Sequence, residues 1–108
     1  MAAEAADAET YKAAGNKALQ AGKYDEAIES YTKAIEASEG QADAPRHVYF
    51  SNRSAAYLSK GDATAALNDA EKCIESNATW PKGFSRKGAA LHAQKNYDEA
   101  MASYEAGK

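Results

Sequence analysis

Valine occurs once and isoleucine three times in 108 residues, so the chain lacks the β-branched apolar residues from which sheets are built. Proline is confined to Pro45 and Pro81, which leaves long stretches without a helix breaker. Cys73 is the single cysteine, so no internal disulfide can form, in keeping with a reducing compartment. No run approaches the roughly 18 consecutive apolar residues needed to cross a bilayer. The start, Met1-Ala2-Ala3-Glu4, has neither the basic region nor the apolar segment of a leader. A soluble cytoplasmic protein is expected, without a membrane. Positive charge is not in excess either: the net charge is −3 and the pI about 5.4, which argues against a nucleic-acid partner. His47 and His92 have no ligand spacing around them, and there is no glycine-rich phosphate loop and no nucleophile with a base beside it. Enzyme activity, a metal and a cofactor are accordingly not expected.

What the chain does have is alanine. With 44% hydrophobic and 27% charged residues it fits one globular domain, and its apolar set is the small-residue composition of closely packed helices. Self-comparison reveals repeats. Tyr24-Asp25-Glu26-Ala27, with Ser30-Tyr31, recurs as Tyr97-Asp98-Glu99-Ala100, with Ser103-Tyr104, at an offset of 73 that Gly15 and Gly88 share. Seventy-three is two units of 34 plus five, and Ala63 to Ala66 supplies the middle unit. The division is 8–41, 47–80 and 81–108, the last incomplete, with an insertion at 42–46.

Each unit reads as two helices. Gly22, Gly61 and Asn96 separate first from second, Gly40 and Asn77 follow the second, Asp62 is placed to cap, and Pro81 suits a first turn. Six helices of roughly 10 to 15 residues result. Ala27, Ala66 and Ala100 share one small-residue register and Ala34 and Cys73 another, with Tyr31, Tyr57 and Tyr104 as the large partners between neighbours. Cys73 is thereby assigned to packing rather than to thiol chemistry.

The period, the Gly15 and Gly88 positions, the alanine register and the aromatic after it resemble the tetratricopeptide repeat over nearly the whole chain. The resemblance implies an all-α, right-handed superhelical array of about three helix-turn-helix units. In such an array the first helices, expected at 9–21, 47–60 and 81–94, line a concave groove and the second helices lie on the convex side. Arrays of this family are usually covered by an additional helix over the last unit. The chain is therefore expected to be part of a longer multidomain protein, with helix 97–107 the least stable or covered by another molecule.

Counted from the start of each unit, Lys12 and Asn16 stand at positions 5 and 9, Asn52 at 6, and Lys82 and Arg86 at 2 and 6. Steps of three and four place these on one helical stripe, so stacked units turn all five to the same groove. Lysine and arginine supply charge, and asparagine supplies an amide donor without adding repulsion. Asparagine inside a helix is about half a kcal/mol worse than alanine, which gives Asn16 and Asn52 a purpose beyond structure. Solvated lysines are common on any helix, and the weight lies in the five together.

Lys12-x-x-Gly15-Asn16, Ser51-Asn52-Arg53-Ser54-Ala55-Ala56-Tyr57 and Trp80-x-Lys82-Gly83-Phe84-Ser85-Arg86-Lys87 resemble the dicarboxylate-clamp subclass of that family, found in co-chaperones. The resemblance implies binding of the C-terminal Glu-Glu-Val-Asp tail of the seventy- or ninety-kilodalton heat-shock chaperones. Lys12, Asn16, Asn52, Lys82 and Arg86 would hold the carboxylates, and Ala55 and Ser59 would touch preceding tail residues. The connection Gly40 to Arg46, about five residues longer than one branch of the subclass carries, is a departure that other clamp co-chaperones share. A groove that binds an internal peptide, with no need of a free carboxylate, remains the alternative.

Overall fold

The computed structural model describes residues 7–108. Six helices account for the ordered elements among these residues, with no strand: α1 Ala8–Gln20, α2 Tyr24–Ala37, α3 Arg46–Lys60, α4 Ala63–Ser76, α5 Pro81–Ala93 and α6 Tyr97–Ala106. The expected first helices agree to within a residue at each end. Asp7 caps α1 by accepting from the Thr10 amide at 2.9 Å, Asp62 caps α4 through the Ala65 amide at 3.1 Å, and Pro81 opens α5. Between paired helices the chain turns through a left-handed residue, Gly22 in the first unit and Gly61 in the second. The third unit differs, because Lys95 with φ 65° takes that position and Asn96 only follows it.

Consecutive helices pack throughout, and α1 also touches α3 while α3 touches α5. No contact joins α2 to α4 or α4 to α6 among the described residues, so the first helices lie on the inside of the curve. That places the face shared by α1, α3 and α5 where a groove forms.

The small-residue registers do what close packing requires. Ala27, Ala66 and Ala100 are buried to 2% exposure or less. Ala34 and Cys73 are fully buried, and Gly107 takes the equivalent slot in the third unit against the Phe84 side chain. Burial pushes the Cys73 thiol up to about 11, with Arg86 opposing only in part, so the sulfur stays a protonated packing atom. The three large tyrosines do not occupy one register. Tyr31 and Tyr104 press on Gly15 and Gly88, but the same position in the middle unit is Ala70, and Tyr57 instead belongs to the first helix α3. Ser54 replaces the glycine there, and its hydroxyl donates to the Ala66 carbonyl at 2.7 Å.

On α6, Tyr97, Met101 and Tyr104 are exposed to 53, 65 and 41%. This difference between ends sets a prediction. A Cβ at Gly15 would lie 2.5 Å from the Tyr31 ring, and one at Gly88 would lie 2.5 Å from the Tyr104 ring. Tyr31 is fully buried and cannot yield, whereas Tyr104 can swing outward. Overpacking costs about 1–3 kcal/mol, and alanine recovers up to about 1 kcal/mol of helix propensity. Gly15→Ala is therefore expected to lose about 2 kcal/mol in urea denaturation and Gly88→Ala less than half of that; equal losses would contradict the packing account.

Candidate functional site

The five stripe residues do come from three successive first helices: Lys12 and Asn16 from α1, Asn52 from α3, and Lys82 and Arg86 from α5. Asn16 is the best fixed. Its Oδ1 accepts from the Tyr31 hydroxyl at 2.6 Å and from Asn52 Nδ2 at 3.4 Å. With the amide oxygen so occupied, Asn16 Nδ2 makes no hydrogen bond among the described residues and is open to solvent. Tyr31 comes from α2, reaches the groove only because Gly15 has no side chain, and has its phenol pKa raised by burial.

Arg86 is held from the other side of α3. Its Nε donates to the Ser51 hydroxyl at 3.1 Å, and Ser51 itself is fully buried. Ser51 and Asn52 are neighbours in sequence, so one turn of α3 orients the donors of both flanking helices. Among the described residues no carboxylate pairs with Arg86. Burial holds its pKa below the ordinary guanidinium value, opposed only by Cys73 and Tyr31. No buried side-chain nitrogen or oxygen lacks a partner among the described residues, so the remaining Arg86 N–H groups open to solvent.

Arg53 provides the contrast. Its Nε and Nη2 bind Asp69 at 2.7 and 2.8 Å, and Nη1 donates to Thr32 Oγ1 at 3.0 Å, which ties α3 to α4 and α2. Burial opposes the Arg53 charge, but Asp69 outweighs it and the pKa is raised. One half-buried arginine is thus satisfied by the protein and the other is left without an anion.

Lys82 is exposed on the first turn of α5, one turn before Arg86, with its ammonium 5.8 Å from the Trp80 ring centroid and no carboxylate partner among the described residues. Lys12 is not free. Its Nζ lies 3.0 Å from Glu9 Oε1, while Glu9 Oε2 accepts from the buried Tyr49 hydroxyl at 2.6 Å. The Tyr49 bond first, and Lys12 second, hold the Glu9 carboxyl below its usual range; burial and then Glu9 push the Tyr49 phenol up to about 12. Ala55 is half-buried and Ser59 exposed on α3, and Ser59 makes no side-chain hydrogen bond among the described residues. A separate recess of about 430 Å³ lies between Gly40 and Ser76, beside Arg46 and His47, and holds none of the stripe.

Chemically the stripe is a set of N–H donors whose α5 end carries two cations and, among the described residues, no carboxylate partner, an arrangement suited to an anion. The repeat pattern agrees. The tetratricopeptide-repeat profile matches residues 8–40, and a second profile of the same description matches 49–79 and 82–107. The chain belongs to the tetratricopeptide-repeat family. It is similar to the heat shock protein STI1 of Saccharomyces cerevisiae, with 48% identity over 97 residues, 90% of this chain and 16% of that protein. This tetratricopeptide-repeat chain therefore spans about a sixth of that relative's length. Its fold is similar to the first TPR of Spaghetti (RPAP3) bound to the HSP90 peptide SRMEEVD, with TM-score 0.83, 36% identity and coverage of 93% of this chain and 77% of that one. It is also similar to the TPR2B domain of yeast Sti1 in complex with pHsp70, with TM-score 0.82, 26% identity and coverage of 93 and 76%.

Tyr31, Ser51, Glu9 and Tyr49 were not legible as site residues. Ser51 carries a weak signal, since serine inside a helix is disfavoured. The Glu9–Tyr49 contact spans 40 residues without any motif.

The two arginines should separate in stability. Arg53→Ala leaves Asp69 buried and unpaired and is expected to lose about 3–5 kcal/mol. Arg86→Ala removes a half-buried charge that has no carboxylate partner and one hydrogen bond to Ser51, and should lower folding stability by no more than about 1 kcal/mol. Chemical denaturation of the two variants checks this, and a large loss for Arg86→Ala would mean its charge is satisfied internally.

Proposed function

We propose that the chain is the peptide-binding module of a cytoplasmic co-chaperone, and that its groove clamps the C-terminal Glu-Glu-Val-Asp tail of the seventy- and ninety-kilodalton heat-shock chaperones. The observation that carries this reading is the half-buried Arg86, held by Ser51 and lacking an anion. A buried cation without a partner is costly, and a site keeps one where a ligand supplies the charge. The peptide complexes of the two similar domains point to the same ligand class. In this reading the module binds and does no chemistry.

Lys82 and Arg86 meet the carboxylates as cations, Asn16 and Asn52 as amide donors, and Lys12 closes the α1 end. Ala55 and Ser59, farther along α3, border the preceding tail residues. Tyr31 fixes the Asn16 amide with its donors outward, so the order of a second helix serves the groove of the first. The division into units 8–41, 47–80 and 81–108 is part of the same proposal, since it places one donor set in each unit.

Arg86→Ala is expected to weaken a free-acid Glu-Glu-Val-Asp peptide by about 2–4 kcal/mol in calorimetric titration, out of the roughly 8 kcal/mol that a micromolar complex has. Lys33→Ala is the control. Lys33 lies on α2, 5.9 Å from the Tyr11 ring centroid, and should stay within about half a kcal/mol. Amidating the peptide C-terminus should abolish binding. Equal losses at Arg86 and Lys33, or full binding of the amide, would return the groove to the internal-peptide reading.

Tyr31→Phe removes one hydroxyl and keeps the ring over Gly15. The expected loss of peptide binding is about 1 kcal/mol, because the Asn16 amide is then free to turn its oxygen toward the ligand. Unchanged affinity would show that the Asn52 contact alone orients that amide.

A further inference from the structure

Lys12 enters the clamp already engaged, and its partner is no ordinary surface residue. A single glutamate three residues away on a helix makes a loose contact worth little. Glu9 is different because each carboxylate oxygen has its own partner: Oε1 faces Lys12 Nζ at 3.0 Å and Oε2 accepts from Tyr49 at 2.6 Å. Tyr49 is 1% exposed, so its phenol cannot follow a moving carboxylate. Glu9 therefore stays at the seam between α1 and α3 while the lysine, on a flexible stem, is the part that can move.

The consequence concerns the ligand. A carboxylate arriving at Lys12 meets an ammonium whose other side is already occupied by a fixed negative charge. Either Lys12 leaves Glu9, or the two carboxylates share one cation at short range and repel.

We propose that Glu9 is a specificity-determining residue that acts as a built-in rival for the ligand carboxylate at Lys12. The inference rests on the carboxylate-clamp reading. The α1 end of the groove is attenuated by Glu9, whereas Arg86 and Lys82 on α5 have no such rival among the described residues. The groove thus selects ligands whose carboxylate seats first at α5 and is strong enough to draw Lys12 away from Glu9.

Glu9→Gln isolates the charge, because the amide oxygen still accepts from Tyr49 and the seam is preserved. Titration of the free-acid Glu-Glu-Val-Asp peptide into Glu9→Gln, Lys12→Ala and the double variant is the test. Glu9→Gln alone is expected to bind about threefold to fivefold tighter, the scale of an exposed ion pair. The gain should shrink as salt rises and vanish in the Lys12→Ala background, with the melting temperature unchanged. Equal or weaker binding by Glu9→Gln overturns the proposal, and so does a gain that persists without Lys12, which would be a long-range charge effect. Failure of the unaltered chain to bind the peptide at all removes the clamp reading, and this inference with it.

Discussion

Where Gly15 has no Cβ, the Tyr31 ring lies against the backbone of α1, and its hydroxyl ends 2.6 Å from the Asn16 amide oxygen. Packing and recognition meet in that one contact. The ring fixes how closely α2 approaches α1, and the hydroxyl fixes which way the adjacent amide faces. Asn52 then uses the same oxygen, so the register of α3 on α1 is read through a polar atom as well as through apolar contacts. A larger residue at Gly15 would disturb both at once, which is why a glycine is tolerated in mid-helix at a cost of about 1 kcal/mol.

The middle unit solves the same packing problem without a tyrosine. Ala70 and Ser54 replace the ring and the glycine, and the adjacent Arg53 and Asp69 form a bidentate ion pair that also reaches Thr32 on α2. Desolvating two charges is repaid only when geometry and extra hydrogen bonds are good, and here each nitrogen of the Arg53 fork finds an acceptor. The array therefore has an apolar clasp in its first unit and a polar one in its second. The third repeats the glycine and tyrosine, but Tyr104 is 41% exposed where Tyr31 is fully buried.

Much of this was legible in advance, and the reason is the period. Repetition at 34 residues located the six helices of the described residues and put Lys12, Asn16, Asn52, Lys82 and Arg86 on three helices that share an inner face. Position within a repeat does not specify which residue touches which across repeats. Tyr31 and Tyr57 read alike as large partners between neighbours, yet they occupy different helices of their units. Asn96 seemed a turn residue on composition, while the backbone placed its left-handed residue one position earlier, at Lys95. Glu9 and Tyr49 were invisible for a stronger reason: a contact between an exposed glutamate and a buried phenol 40 residues on follows only from the angle at which α1 crosses α3.

The two ends of the stripe differ in how their charge is held. At α5, burial already disfavours the Arg86 charge before any ligand arrives, so part of the desolvation cost of binding is met when the chain folds. In the proposed clamp a ligand carboxylate would then gain the full interaction with a guanidinium that Ser51 has oriented. At α1 the order is reversed, because Lys12 is already paired with Glu9 and would have to give up or share that contact in the proposed clamp. On the proposed reading, preorganisation at one end and competition at the other would make the affinity of the groove more sensitive to Arg86 than to Lys12, although both are single positive charges on one stripe. Net charge alone would treat the two as equal; what separates them is whether an anion is already present within 4 Å.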